Sequence, residues 1–348
     1  MTRGVIHLIA PAGSCGKFLT LLGTPEPNEF LSLVQDHVGP HFSVTGNEQI
    51  MAAEENEETG GRNDDLARAR DIQTALADSN VVALVTVRGG AWFSRILRHI
   101  DFTVLNARTS PIAVFGFSEL TTLVNIVAAH SNGRGVYDMG PAFLPYGLRR
   151  YAMALAKSTG DPAITPKQWA ADRLPETFRA FWSDIVAMIR GQGSSRAITT
   201  TLVRGDVPDG TEAVFTGGNL VVLCTLVGTP FQSAIRPDGR WLVLEEINEK
   251  AERIDRYLAN LTLAGFWHEC EGVLLGDFHM AGKDLGPTVE SLLSYHLPDD
   301  RRIPIMRTKQ IGHIWPMSPL PLHSPVKLVR ISDHTYSLDW SPRSLQVV

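Results

Sequence analysis

Cysteine is scarce: Cys15, Cys224 and Cys270 are the only three in 348 residues, an odd number, far apart and without a C-x-x-C spacing. That usage fits neither a disulfide framework nor a thiolate zinc site, and it suits a reducing compartment. Long hydrophobic runs are missing as well, since no stretch approaches the roughly 18 apolar residues of a membrane helix. After Met1-Thr2-Arg3 the run from Val5 to Ala10 is broken by Pro11 and Gly13, too short for the apolar region of a signal peptide, so a cytoplasmic location is expected. There is no basic excess: 32 Lys and Arg against 37 Asp and Glu give a net charge of -5, which offers no footprint for the phosphates of a nucleic acid. No H-E-x-x-H is present, which disfavours a metallopeptidase, and no G-x-G-x-x-G follows the first strand, which counts against a dinucleotide cofactor. Gly13-Ser14-Cys15-Gly16-Lys17 has the wrong glycine spacing for a phosphate loop, and Phe18 follows the lysine. No metal, cofactor, membrane or nucleic acid is expected.

What is present is an ordinary globular composition, 44% hydrophobic and 20% charged, in a chain long enough for two domains and a cleft between them. Val5 to Ala10 reads as a buried strand entering a Gly/Ser turn. The acidic stretch Glu54 to Glu58 reads as a solvated loop, and Asp64 to Ala77 has helical spacing through Leu66, Ala69, Ile72 and Leu76. Val81 to Val87 is a β-branched run ending at Arg88-Gly89-Gly90, with Ile96 to Ile100 as the helix after it. Ile112 to Phe117 repeats the pattern, followed by Ser118 and a helix from Glu119. Repeated strand, turn and helix predicts an α/β, Rossmann-like parallel-sheet domain over residues 1–145. Pro145, Pro162, Pro166 and Pro175 stand around two helical patterns, Arg149 to Lys157 and Thr177 to Ile189, and residues 146–205 read as a connecting or capping segment. Short strands around a helix from Ala251 to Leu263 predict a second, smaller, strand-rich α/β domain over 206–348.

Chemistry concentrates at a few positions. Ser118 stands where a buried strand turns into a helix, a bend that exposes a hydroxyl beside backbone N–H groups. Gly116-Phe117-Ser118-Glu119-Leu120 matches only half of the G-x-S-x-G elbow, and on local pattern alone a helix N-cap is the stronger reading. Gly89 and Gly90 could let a backbone N–H approach a substrate or could form an ordinary turn. Arg88 could pair with a substrate carboxylate or tie two loops together. Glu245 and Glu246 end the apolar run Leu242-Val243-Leu244, where a carboxylate can be held to orient a base. His313 is one of eleven histidines and by itself reads as structural.

Taken in order, these segments resemble the LD-carboxypeptidase family of serine peptidases, which includes the microcin C self-immunity peptidases. Ile9-Ala10-Pro11-Ala12-Gly13 is similar to its I-A-P-S-G opening, and Val87-Arg88-Gly89-Gly90 to its A-R-G-G turn. Gly116 to Thr121 is similar to G-Y-S-D-x-T, and Gly217-Gly218-Asn219-Leu220 to G-G-N-L. Leu244-Glu245-Glu246 with Arg253-Ile254-Asp255-Arg256 resembles L-E-D followed by R-I-D-R, and Gly312-His313 its G-H. The resemblance implies Ser118 as nucleophile, His313 as general base and Glu245 as its orienting carboxylate, with serine on the first domain and the other two on the second. It further implies oxyanion donors at the backbone of Gly90 and Glu119. Substrate contacts would come from Arg88, Gly89, Asn219 and Trp182, the tryptophan stacking on a planar group or merely packing in a core. The implied substrate is a small peptide, foremost a murein tetrapeptide losing its terminal D-alanine, with an aminoacyl-nucleotide or other small acyl amide as the alternative. A noncatalytic binding protein with the same fold is a third reading, and a homodimer is implied. Ala91-Trp92, Met139 and Glu119 depart from the family pattern near the expected cleft.

Overall fold

A computed structural model describes residues 4–56, 58 and 60–348; the opening Met1 to Arg3, Glu57 of the expected acidic loop and Thr59 lie outside the described residues. The first half runs β1 (Gly4–Ile9), α1 (Gly16–Leu21), α2 (Pro27–Val38), β2 (Phe42–Gly46), α3 (Glu48–Ala52), α4 (Asp65–Ala77), β3 (Val81–Thr86), β4 (Ile112–Gly116), α5 (Thr121–Ala128) and β5 (Gly133–Tyr137). A helical hairpin follows, α6 (Leu144–Thr159) and α7 (Pro166–Ile189). The remainder comprises β6 (Ile198–Arg204), β7 (Thr211–Asn219), α8 (Leu220–Cys224), β8 (Arg240–Ile247), α9 (Ala251–Leu263), β9 (Cys270–Met280), β10 (Lys283–Asp284), α10 (Gly286–His296), β11 (Ile305–Arg307), β12 (Leu320–Leu322), β13 (Pro325–Ser332) and β14 (Thr335–Trp340).

The first sheet has the order β12-β5-β4-β3-β1-β2, with β1 to β5 parallel. Its central strands β3 and β4 are buried at every position, as expected where helices cover both faces. The second sheet has the order β10-β9-β11-β6-β14-β13-β7-β8 and closes on itself through β8 and β9. Two boundaries differ from the expectation at 206. The second sheet already begins at β6, whose buried Ile198, Thr200 and Leu202 alternate with outward threonines, so that the threonines conceal the period in the sequence. Conversely, β12 leaves the second sheet to pair antiparallel with β5, Leu320 opposite Tyr137. The chain therefore crosses back at the strand that ends beside Ser118.

Prolines mislead over the connecting segment. Pro145 and Pro166 occupy first turns of α6 and α7, where the missing N–H would have had no partner, and Pro175 lies inside the 24-residue α7. Where a break could be expected, one long helix runs instead. Arg196 ties this segment to the core: it donates two bonds to Asp138, at 2.9 and 2.7 Å, and a third to Asp184 on α7 at 2.9 Å. No helix among the described residues is long and apolar enough to cross a membrane.

The two sheets are locked together behind the turn at Ser118. Asn125, buried on α5, accepts from Gly217 N and Thr216 Oγ1 at 2.9 Å each and donates to Gly217 O at 2.9 Å. Thr121 donates to Ser118 O at 2.7 Å and accepts from Asn219 N at 3.0 Å. Gly217 and Gly218 adopt φ of +113° and +141°, and a Cβ on Gly218 would stand 2.6 Å from the Tyr137 ring. Only glycine allows this approach.

Candidate active site

Ser118 follows β4 at a φ of +58°, an unusual conformation for a residue with a side chain and one that functional turns commonly hold. The turn is tight because Gly116 has no side chain: a Cβ there would stand 3.0 Å from that of Leu120 and 3.1 Å from Thr86 Oγ1. Thus Gly116 does packing that the half-matched elbow motif needs, while Leu120 takes the place of the second glycine without obstruction.

His313 Nε2 lies 3.0 Å from Ser118 Oγ, and His313 Nδ1 lies 2.9 Å from Glu245 Oε2. Residues 118, 245 and 313, remote in sequence and held by the turn after β4, by β8 and by the segment between β11 and β12, thus form one hydrogen-bonded line. Glu245, two residues before the end of β8, has no solvent exposure, and its other oxygen accepts from Tyr137 Oη at 2.7 Å and Asn219 Nδ2 at 3.2 Å. Tyr137 Oη accepts in turn from Ser118 N at 3.2 Å, which links the serine backbone to the carboxylate by a second route. Gly312, at a φ of +114°, brings the histidine close: a Cβ there would stand 2.8 Å from Glu245 Oε2. The imidazole is flanked by Phe117 and Phe143, with ring centroids 5.1 and 6.2 Å away, and Arg150 of α6 donates to the His313 carbonyl.

Electrostatics favour a charged imidazole. Burial alone would lower the His313 pKa, but the Glu245 carboxylate, then Glu246 and Asp277, outweigh it and hold the ring above its ordinary value. Glu246 is pushed up to about 7 by burial and by the charge of Glu245, although it accepts from Asn219 Nδ2, Val221 N and Ile247 N. A serine hydroxyl hydrogen-bonded to an imidazole, itself backed by a buried carboxylate, can be deprotonated as it attacks a carbonyl.

The other expected residues divide into three groups. Arg88, Gly89 and Gly90 join Phe117, Ser118 and His313 around a pocket of about 250 Å³. Arg88 also donates to Ser14 O at 2.5 Å and lies 4.0 Å over the Phe18 ring, so both of its sequence readings have a counterpart. Gly89 packs closely on the serine, since a Cβ would approach Ser118 Cβ to 3.0 Å and Oγ to 3.2 Å. Glu119 directs its side chain away from the pocket, accepting from Phe93 N at 3.0 Å and Ser94 N at 3.2 Å, and so fastens the loop that follows Gly90. Asn219 is buried beside the line of three, its amide serves Glu245 and Glu246, and its Oδ1 caps α8 at Val222 N. Trp182 departs from the substrate contact expected of it. It is fully buried against Phe178 and Phe181, because α7 turns its apolar face inward, and it reaches no substrate pocket. Tyr137 was not anticipated; a tyrosine ending a parallel strand carries no local signal of a partner on another sheet.

Comparison with known proteins agrees with this architecture. Residues 6–137 match the family model of the LD-carboxypeptidase N-terminal domain, and residues 212–328 that of the C-terminal domain. A probable murein peptide carboxypeptidase of Bacillus subtilis (strain 168) is 27% identical over 263 residues, covering 74% of this chain and 72% of that protein. Among solved structures, an MccF-like protein from Bacillus anthracis str. Ames shares the fold with a TM-score of 0.65 at 17% identity, covering 98% of both chains. A muramoyltetrapeptide carboxypeptidase from Oxalobacter formigenes does so with a TM-score of 0.60 at 19% identity, covering 97% of this chain and 99% of that one.

Proposed function

The chain belongs to the LD-carboxypeptidase family of serine peptidases, and from that premise we propose that it hydrolyses an amide next to a free carboxylate, foremost the LD-bond that holds the terminal D-alanine of a murein tetrapeptide. The observation that carries this reading is the line from Ser118 Oγ through His313 to Glu245, with contacts of 3.0 and 2.9 Å.

In this mechanism Ser118 Oγ attacks the scissile carbonyl carbon while its proton passes to His313 Nε2. Glu245 holds the Nδ1 proton and stabilises the imidazolium that forms. The developing oxyanion is met by the backbone N–H groups of Gly90 and Glu119, one from the turn after β3 and one from the start of the helical turn at Ser118. The imidazolium then returns its proton to the leaving amine as the carbon–nitrogen bond breaks, leaving an acyl ester on Ser118. Water, deprotonated by His313, attacks this ester and restores the hydroxyl. Arg88 pairs with the substrate carboxylate at the pocket wall.

Mass spectrometry of a panel holding a murein tetrapeptide and an aminoacyl-sulfamoyl adenosine, with wild type beside Ser118→Ala, tests the reading. Release of D-alanine by the wild type alone supports it. Cleavage of the adenosine compound instead transfers the chemistry to another acyl amide, and identical behaviour of the two proteins overturns the role of Ser118.

A further inference from the structure

Next to the pocket over Ser118 lies a second, larger cavity of about 730 Å³, between α1 and α2 on one side and the α6–α7 hairpin on the other. The two adjoin, since Phe18 and Tyr146 line both. Its size is that of a site for a whole small molecule. The wall is apolar, built from Leu22, Leu33, Leu174 and Phe178, while Arg149, Lys167 and Arg179 stand at its margin and no carboxylate lines it. Among the described residues none of these three cations has a hydrogen bond or an ion pair. Nothing in the reaction above uses this space. A polar peptide alone would gain little from such a wall, because its amides would lose water without finding partners.

We propose that this cavity receives the end of the substrate remote from the scissile amide, and that this end is an apolar acyl or aromatic group carrying an anion at its tip. The inference rests on the reading of Ser118 as the reactive centre; it leaves the scissile end unchanged and specifies the other. The body of the group covers the leucines and Phe178, and its anion meets the free guanidinium and ammonium groups at the margin. Two walls shared with the Ser118 pocket and the one-signed charge of the margin favour this occupant over an unrelated ligand.

The test compares N-acetyl-, N-decanoyl- and N-decanedioyl-D-alanine as substrates. Each buried methylene is worth about fourfold in affinity, so kcat/KM should rise by at least about 100-fold from acetyl to decanoyl. It should rise by about tenfold more when the terminal carboxylate is added. Ala171→Trp, which fills the cavity, should lower the decanoyl-to-acetyl ratio, whereas the double variant Arg149→Glu and Arg179→Glu should abolish only the preference for decanedioyl. Equal ratios in wild type and variants overturn the proposal. If the wild type hydrolyses none of the three, the reading of the reaction fails, and the cavity is judged by calorimetry of the same compounds on Ser118→Ala. Affinity graded in the same order sustains the proposal there, and flat affinity overturns it. A second copy of the chain covering the cavity would appear as concentration-dependent mass in light scattering together with flat affinity, and also overturns it.

Discussion

Replacing Glu245 by glutamine changes one atom of a fully buried side chain, yet the surrounding bonds make it severe. Three donors converge on this carboxylate: Tyr137 Oη at 2.7 Å, Asn219 Nδ2 at 3.2 Å and His313 Nδ1 at 2.9 Å. A glutamine offers one oxygen and one NH2 group, which cannot accept all three. If its oxygen stays with Tyr137 and Asn219, its NH2 faces His313 Nδ1, and the imidazole must carry its proton on Nε2, the atom that should receive the proton of Ser118. The buried amide also withdraws the charge that stabilises the imidazolium. Loss of the correct tautomer in a serine–histidine–carboxylate site costs about 10⁴ in kcat, roughly 5 kcal/mol of transition-state stabilisation. We expect a fall of about 10³ to 10⁴ in kcat/KM for D-alanine release, measured over a range of pH. The wild-type acid limb should lie above pH 6.5, since Glu245 outweighs burial and keeps His313 above that ordinary value, and any residual limb in the variant should move down. A variant within tenfold of wild type, or with an unmoved limb, would refute the assignment of His313 and Glu245.

Three more outcomes follow from distances in the structure. Gly89→Ala places a methyl 3.0 Å from Ser118 Cβ and 3.2 Å from Oγ; kcat/KM should fall by about 100-fold while the melting temperature moves little, as read by kinetics and calorimetry. Glu119→Ala releases Phe93 N and Ser94 N, loosening the loop after Gly90, and should lower kcat by about tenfold or more with KM less affected. Glu119→Gln keeps an acceptor oxygen and should restore most of that loss. Glu246 is raised to about 7 by burial and by Glu245, so its contribution to stability is complete below its ordinary 4.5 and is lost as pH rises through 7. Glu246→Gln should therefore gain stability relative to wild type across that window, by no more than about 3 kcal/mol in denaturant titrations, and a constant difference would contradict the raised pKa.

Elements built from local patterns were legible in the chain. The β-branched run at Val81, the apolar run at Ile112 and the helical spacing from Ala251 to Leu263 correspond to β3, β4 and α9. Less legible were β6, whose threonines hide its alternation, and α7, which contains Pro175 where the pattern suggests a break. Val221 to Leu226 reads as a short apolar segment, yet its first part is the helix α8, capped by the side chain of Asn219. Apolar runs this short do not distinguish helix from strand without the cap.

By itself the sequence determined the parallel sheet of the first domain, the bend at Ser118 and the strand that carries Glu245, because these depend on periodicity and on glycine placed where the backbone has to turn. The resemblance of ordered motifs added the pairing of Ser118 with Glu245 and His313. Only the tertiary structure decided the rest: that Tyr137 bridges Ser118 N and Glu245, that Asn219 joins the carboxylates of Glu245 and Glu246, and that Trp182 belongs to the core. The first two depend on contacts between segments 19 or more residues apart, and tautomer, burial and charge are set by such neighbours rather than by the local chain.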